Sequence, residues 1–320
     1  MAFSRWGIVM TAREPAQLVL ANVVYHLATG AARVTVCLDD PGDPAGALLR
    51  QVEGCEVVLC DTAHWQRLNG GKRPERQTRR QSLNATDVYR RSDLDWLIHL
   101  DADEFLFQRR PLAEELTHAP RRRGYVAIEP MERVFLAGQP QQGLFDGVFR
   151  VPFRGRDAFL PILYGDVQPF LTNGMAGHAA GKAAVPVGLG YRLSIHAPRD
   201  GAGERMPPLH ATSTVLLHFD GLTRAHWLAK MQAYQDQGPE GLVGPQRLAQ
   251  LQELQACGSV AEAQVFHDRI KAVTPEDHAQ LRALGLIEDL AFDPGPQVAQ
   301  ALAQAGLSLD PAAFDAALGL

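Results

Sequence analysis

Trp96-Leu97-Ile98-His99-Leu100-Asp101-Ala102-Asp103-Glu104-Phe105 is the stretch on which the reading of this 320-residue chain turns. Five residues with almost no polarity read as a strand buried on both faces, the habit of parallel sheets. Two carboxylates with one small residue between them stand directly at its carboxyl end. In open α/β sheets, ligands bind beyond the carboxyl ends of the strands.

Working outward, the preceding hundred residues alternate as βαβ units. Trp6 to Thr11 is a short apolar run that ends in Thr11-Ala12-Arg13-Glu14. Leu20, Val23, Val24 and Leu27 follow at helical spacing, and Gly30 closes that helix. Arg33 to Leu38 reads as a second strand ending in Asp39-Asp40, Leu48 to Val52 as helix, and Glu56 to Cys60 as a third strand ending at Asp61. The basic stretch from Gln66 to Arg91 has a helical second half. Four successive strands thus deliver polar residues at their carboxyl ends: Arg13 and Glu14, Asp39 and Asp40, Asp61, then Asp101 and Asp103.

Beyond the motif the pattern changes. Tyr125–Ile128, Arg192–His196 and Thr214–His218 read as short strands among Gly- and Pro-rich loops, and from about Pro239 the Ala-, Gln- and Leu-rich chain reads as helix. The expected fold is α/β with a mostly parallel central sheet. The expected division is a main domain over 1–238 and a helical C-terminal appendage over 239–320, which packs on that domain.

The chemistry follows from charge. Expelling a diphosphate from a nucleoside-diphosphate sugar builds negative charge on the leaving group. A divalent cation bridging the phosphates neutralises it. Mn²⁺ or Mg²⁺ wants carboxylate oxygen, which Asp101 and Asp103 supply. His218, at the end of the apolar run Val215-Leu216-Leu217, is the expected third ligand, with His196 as its competitor; an imidazole ligand favours manganese. Gly177-His178-Ala179-Ala180-Gly181-Lys182-Ala183 is not a P-loop, because three residues separate the glycines and alanine stands where a hydroxyl would hold magnesium. Lys182 is instead a glycine-flanked lysine expected to reach donor phosphate or acceptor. Deprotonating an acceptor hydroxyl needs a carboxylate base, and Asp157 and Asp166 are the candidates in the Gly/Pro-rich region.

Asp-x-Asp also serves phosphohydrolases, but there on the first strand, and a non-catalytic nucleotide-sugar-binding protein is the other alternative. A net charge of −5 excludes broad nucleic-acid binding. Four cysteines without a CxxC pair, no signal pattern and no apolar run of membrane-spanning length lead to an expected cytoplasmic location, with any membrane contact peripheral.

Thr11-Ala12-Arg13-Glu14, Tyr25-His26-Leu27, Asp39-Asp40, Arg80-Gln81-Ser82-Leu83-Asn84 and Asp95-Trp96 leading into Asp101–Phe105 together resemble the family 2 type glycosyltransferases. The subgroup it is most similar to carries Asp-x-Asp-Glu-Phe, then a Gly-Lys segment, then a His-aromatic pair, matched by Gly181-Lys182 and His218-Phe219. The resemblance, over about residues 5 to 235, implies a GT-A fold, a UDP-linked donor, a hexosyltransferase-like inverting reaction and an acceptor that is a glycan, a lipid or a small molecule. Carried over, Thr11, Arg13 and Glu14 lie near the base, and Asp39 or Asp40 near base and ribose. Arg80 and Asn84 face the nucleotide, Asp101 meets ribose or metal, and Asp103 meets the metal.

Overall fold

The computed structural model describes residues 3–122, 124–238 and 243–319. Six strands run along the first part of the chain: β1 (Trp6–Ala12), β2 (Arg33–Leu38), β3 (Cys55–Leu59), β4 (Trp96–His99), β5 (Glu104–Gln108) and β6 (Tyr125–Ile128). Then come β7 (Pro130–Leu136), β8 (Val148–Arg150), β9 (Lys182–Pro186), β10 (Pro208–His210) and β11 (Thr214–His218). The last are β12 (Ala272–Val273) and β13 (Ile287–Glu288), of two residues each. Four helices matter for the site: α1 (Ala16–Ala28), α2 (Ala45–Leu49), α3 (Thr62–Asn69) and α4 (Gln77–Arg91).

The chain folds into two compact units, each assembled from separate stretches. The first takes the chain up to Glu129, Ala180–Leu216 and Pro294–Ser308. The second takes Pro130–Ala179, Leu217–Asp293 and the residues from Leu309 onward. The expected boundary at 238/239 adjoins residues 239–242, which lie outside the described residues.

The first unit is built on a seven-stranded sheet in the order β10-β6-β9-β4-β1-β2-β3. β1 pairs in parallel with β2 (Ile8↔Val34) and with β4 (Ile8↔Ile98), and β2 with β3 (Val36↔Val57). β9 runs antiparallel between β4 and β6. This is the mostly parallel central sheet of an α/β fold, as expected. All seven residues of β1 are buried, as the centre of a sheet covered on both faces requires. Gly7 is forced there, since a Cβ would stand 2.7 Å from the Arg33 carbonyl oxygen on the neighbouring strand.

Among the described residues the C-terminal chain from the helix Pro245–Ala256 onward is mostly helical, with two short strands, β12 parallel to β7 and β13 antiparallel to β8, neither of which joins the seven-stranded sheet. Its helix Gly295–Ala305 packs on α1 in the first unit through Val298 and Leu302, both buried. In the second unit β7 and β8 pair antiparallel, and Trp227, Met231, Leu251, Phe266 and Ile270 fill the core.

Two expectations are corrected. The second helix is Ala45–Leu49 rather than 48–52: Pro44 precedes it, and the Gly46 amide bonds the Asp43 carbonyl. Arg192–His196 is not a strand, having only isolated bridges to Arg199. Its backbone is satisfied by a side chain: the Leu193 N–H donates to Thr86 Oγ1 at 3.0 Å, and that hydroxyl donates to the Leu193 carbonyl.

Candidate active site

The Asp101–Glu104 turn is fixed from two sides within the first unit. On one side, α1 buries two polar side chains. Asn22 Nδ2 donates to the carbonyls of Ala102 (3.0 Å) and Glu104 (2.7 Å), and the Leu106 N–H donates to His26 Nε2 at 3.1 Å. His26 is fully buried, and burial pushes its imidazole down to about 4, so it stays neutral and able to accept that bond. Asn22→Leu should cost about 1–3 kcal/mol per orphaned carbonyl, read as a lowered denaturation midpoint. A midpoint equal to the parent's would mean that water replaces the amide.

On the other side stands Lys182, at the start of β9. Its ammonium, wholly buried, lies 2.7 Å from Asp101 Oδ2 and 2.9 Å from Glu104 Oε2. Burial alone would lower its pKa, but the two carboxylates outweigh that and raise it. Asp101 also accepts from Gln81 Nε2 at 2.5 Å, and its backbone N–H donates to Glu104 Oε2 at 2.8 Å. Burial works to raise the Asp101 carboxyl, yet Lys182 holds it below the usual range. Beneath them His99 is pushed down to about 4 by burial and then by Lys182. Asp103 is 4% exposed. The turn is thus a pre-charged, ordered acidic site with a resident ammonium.

The carboxyl ends of β1, β2 and β3 carry the other candidates. Asp39 is gripped by the Arg80 fork (Nε to Oδ1 2.8 Å, Nη2 to Oδ2 3.0 Å) and by Arg73 at 2.7 Å. Arg80 also donates to the carbonyls of Pro74 and Glu75, so it holds the β2 end and the α4 start together. Asn84 is fully buried; its Nδ2 donates to Thr11 Oγ1 at 3.0 Å and its Oδ1 meets His64 Nε2 at 2.8 Å. Arg13 and Asp40 are exposed, and Glu14 half-buried. His196 Nδ1 lies 3.1 Å from the Gly181 carbonyl oxygen.

The remaining candidates belong to the second unit. Asp157 opens a short 3₁₀ turn and is exposed, and Asp166, 83% exposed, pairs with Arg269 at 3.3 Å. His218 stacks on His178 with ring centroids 4.6 Å apart. A Cβ at Gly177 would meet Glu132 Oε1 at 2.9 Å and the His218 ring at 3.0 Å, so a larger residue there would push these side chains aside. Sequence reading did not anticipate the buried charges beside them. Glu132 accepts from the N–H groups of Ala176 (2.7 Å) and Gly177 (2.5 Å), and Lys271 lies 3.4 Å from Glu132 and 3.8 Å from Asp220. Residues 132, 220 and 271 have no sequence spacing that betrays them. Glu104 was legible only as part of the motif string, not as the second carboxylate on Lys182.

No family model matches the chain, and no curated protein matches it. Among solved structures it is similar to Staphylococcus aureus TarS 1–349, at 11% identity and a TM-score of 0.35, over 93% of this chain and 79% of that one. The same protein in complex with UDP-GlcNAc matches at 10% identity and 0.36, over 94% and 80%. The glycosyltransferase GlyE of Streptococcus pneumoniae TIGR4 matches at 9% and 0.29, over 94% and 64%. At such scores the likeness lends nothing to the reading of individual residues, which rests on the geometry above. No described helix is long and apolar enough to cross a membrane.

Proposed function

We propose that this chain is a metal-dependent glycosyltransferase that moves a sugar from a nucleoside-diphosphate donor, UDP-linked, to a glycan, lipid or small-molecule acceptor. The observation that carries the reading is the acidic turn Asp101–Glu104 at the carboxyl end of β4, held rigid by α1 and charged by Lys182. Asp101 and Asp103 offer carboxylate oxygen, which suits Mn²⁺ or Mg²⁺. Asp103 is the proposed metal ligand, with Asp101 shared between metal and ribose. A bound cation would supply Lewis acidity to the departing diphosphate. The chain's own residues do the positioning: Gln81 and Lys182 fix the Asp101 carboxylate, and Lys182 adds a permanent positive charge beside the phosphates. Thr11 and Asn84 form a rigid polar floor suited to the nucleotide, and Arg13, Glu14 and Asp40 complete its rim. The transfer is proposed to invert, with Asp157 or Asp166 as base; the responsible Asp→Asn change should abolish transfer while leaving UDP binding intact.

Calorimetry with UDP tests the donor site. Binding should need Mn²⁺ and weaken at least about tenfold in EDTA, since the bare carboxylates repel diphosphate. Equal affinity in both would remove the metal bridge. UDP-sugar hydrolysis in Mn²⁺ would then separate an enzyme from a mere binder.

A further inference from the structure

We propose that the long cleft of the second unit binds an anionic amphiphile, its head held by Arg150 and its chain by the apolar walls. The inference stands on that unit alone and is independent of the proposed function.

The cleft holds about 1660 Å³, and every residue lining it belongs to the second unit. That exceeds the ~300–1,000 Å³ of an ordinary small-molecule site and leaves room for an extended chain. Its walls are the end of β7 and the helices Leu160–Tyr164, Arg224–Asp236 and Val260–Lys271. Leu136, Leu163 and Leu228 line it half-buried, and Leu281 buried. Ile162 and Val260 line it as well and are 78% and 72% exposed, so the cleft is open to solvent where these two stand. Val260 is held in place because Ser259 caps its helix, accepting from the Glu262 N–H.

The charges point to the head group. Three arginines line the cleft, and two of them are matched by carboxylates. Arg224 forks onto Asp268 at 3.1 and 2.6 Å, and Arg269 meets Asp166 at 3.3 Å. Arg150 is the exception. It is 3% exposed and forms no ion pair among the described residues. Its Nη1 donates to the Ile270 carbonyl at 2.9 Å, and its Nε has no described hydrogen-bond partner. Glu132, opposite it in the β7–β8 register, turns its oxygens to the Ala176 and Gly177 N–H groups and has Lys271 as its cation. Glu132 and Asp277 therefore act on Arg150 only from beyond ion-pairing distance. A buried charge without a counter-charge is costly to keep, and an anion from outside the chain removes that cost. Tyr164, close enough to Arg150 for the guanidinium to act on its phenol, also lines the cleft, and its hydroxyl has no described partner. Native proteins rarely leave such groups unsatisfied, and an anionic head accepts from both.

The walls decide the rest of the ligand. A glycan needs hydrogen-bonding groups along its length, and the side chains of Leu136, Leu163, Leu228 and Val260 offer none. A peptide would lay its backbone amides against the same apolar surface, where they go unpaired. A hydrocarbon chain loses nothing there and gains by leaving water.

Calorimetry on the full chain with dodecyl phosphate, kept below its micelle-forming concentration, tests the cleft. Dodecyl maltoside puts an uncharged head on the same chain, and inorganic phosphate is the head alone. Dodecyl phosphate should saturate a single site, at least about tenfold more tightly than either comparison ligand, for want of the charge-assisted bond in one and of the buried chain in the other. Arg150→Met should remove the preference for dodecyl phosphate while dodecyl maltoside binds as before, a split that a loosened fold does not produce. Ile162→Glu, at an exposed position, should weaken both dodecyl ligands at least about threefold. Equal affinity for the two dodecyl ligands, uptake of dodecyl phosphate without saturation, or the parent's preference in Arg150→Met would overturn the proposal. If Arg150→Met does not fold, Ile162→Glu decides: a weakened dodecyl phosphate complex supports the cleft, and an unchanged one overturns it.

Discussion

Lys182→Met should lower the unfolding free energy by about 3–5 kcal/mol, the cost of stripping a buried ion pair of one partner. Lys182 is wholly buried, and its ammonium is shared by Glu104, equally buried, and Asp101, whose side chain is 27% exposed. Removing it leaves two carboxylates about one side chain apart with no counter-charge. Glu104→Gln in the same background should recover part of the loss, because it removes the more buried of the two charges. The pH dependence gives a second signature. In the parent, Asp101 has a depressed pKa. Its contribution is therefore present above the unfolded carboxyl value and is lost as pH falls through the folded one. In Lys182→Met, burial and mutual repulsion should instead raise the carboxyl pKa values, so stability should increase as pH is lowered from 7 towards 5. Urea titrations at the two pH values read both effects. A loss below about 1 kcal/mol, with the parent's pH slope, would show that the turn does not depend on this ammonium.

Asp103→Asn should cut UDP-sugar turnover on the order of 10²–10³-fold, the usual loss when a stabiliser of developing charge is removed, and with it the response to Mn²⁺. The amide keeps the size of the side chain in a place that is 4% exposed. The Ala102 and Glu104 carbonyls keep their bonds from the Asn22 side chain, because on the turn's side these involve only backbone. The variant should therefore still fold while turnover collapses. Turnover within about threefold of the parent would dismiss Asp103 as the metal ligand.

What could be read beforehand, and what could not, follows the range of the forces involved. β1, β2 and β4 announce themselves because a strand buried on both faces is apolar at nearly every position, and Trp6–Ala12 and Trp96–His99 are, but for Thr11 and His99. β3 was one residue off, since Cys55 and Cys60 are equally acceptable at the ends of such a run. The Arg192–His196 stretch alternates like a strand, yet Thr86, more than a hundred residues away, supplies the bonds that a neighbouring strand would give. The Asp101 and Asp103 positions were legible from adjacency to an apolar run. Lys182 was legible only as a glycine-flanked lysine, and its double ion pair depends on β9 lying antiparallel beside β4. The burial of Asn22 and His26 was hidden as well, because on one face of a helix of this pattern polar residues look like solvated ones until the strand they serve is in place. Arg80 and Asn84 could equally have been surface residues of α4, and the structure buries both.

The first unit also has a history imposed by the order in which its parts are made. Its α1 helix, which clamps the acidic turn, is covered by the helix Gly295–Ala305, synthesised more than 260 residues later. Until that late segment leaves the ribosome, the α1 surface that receives Val298 and Leu302 faces water or a chaperone. Domains commonly fold as their chain emerges; here the helix that clamps the acidic turn must wait for a segment more than 260 residues downstream. A ribosome stalled near residue 290 would therefore hold a sheet whose clamp helix is uncovered, a form prone to aggregate.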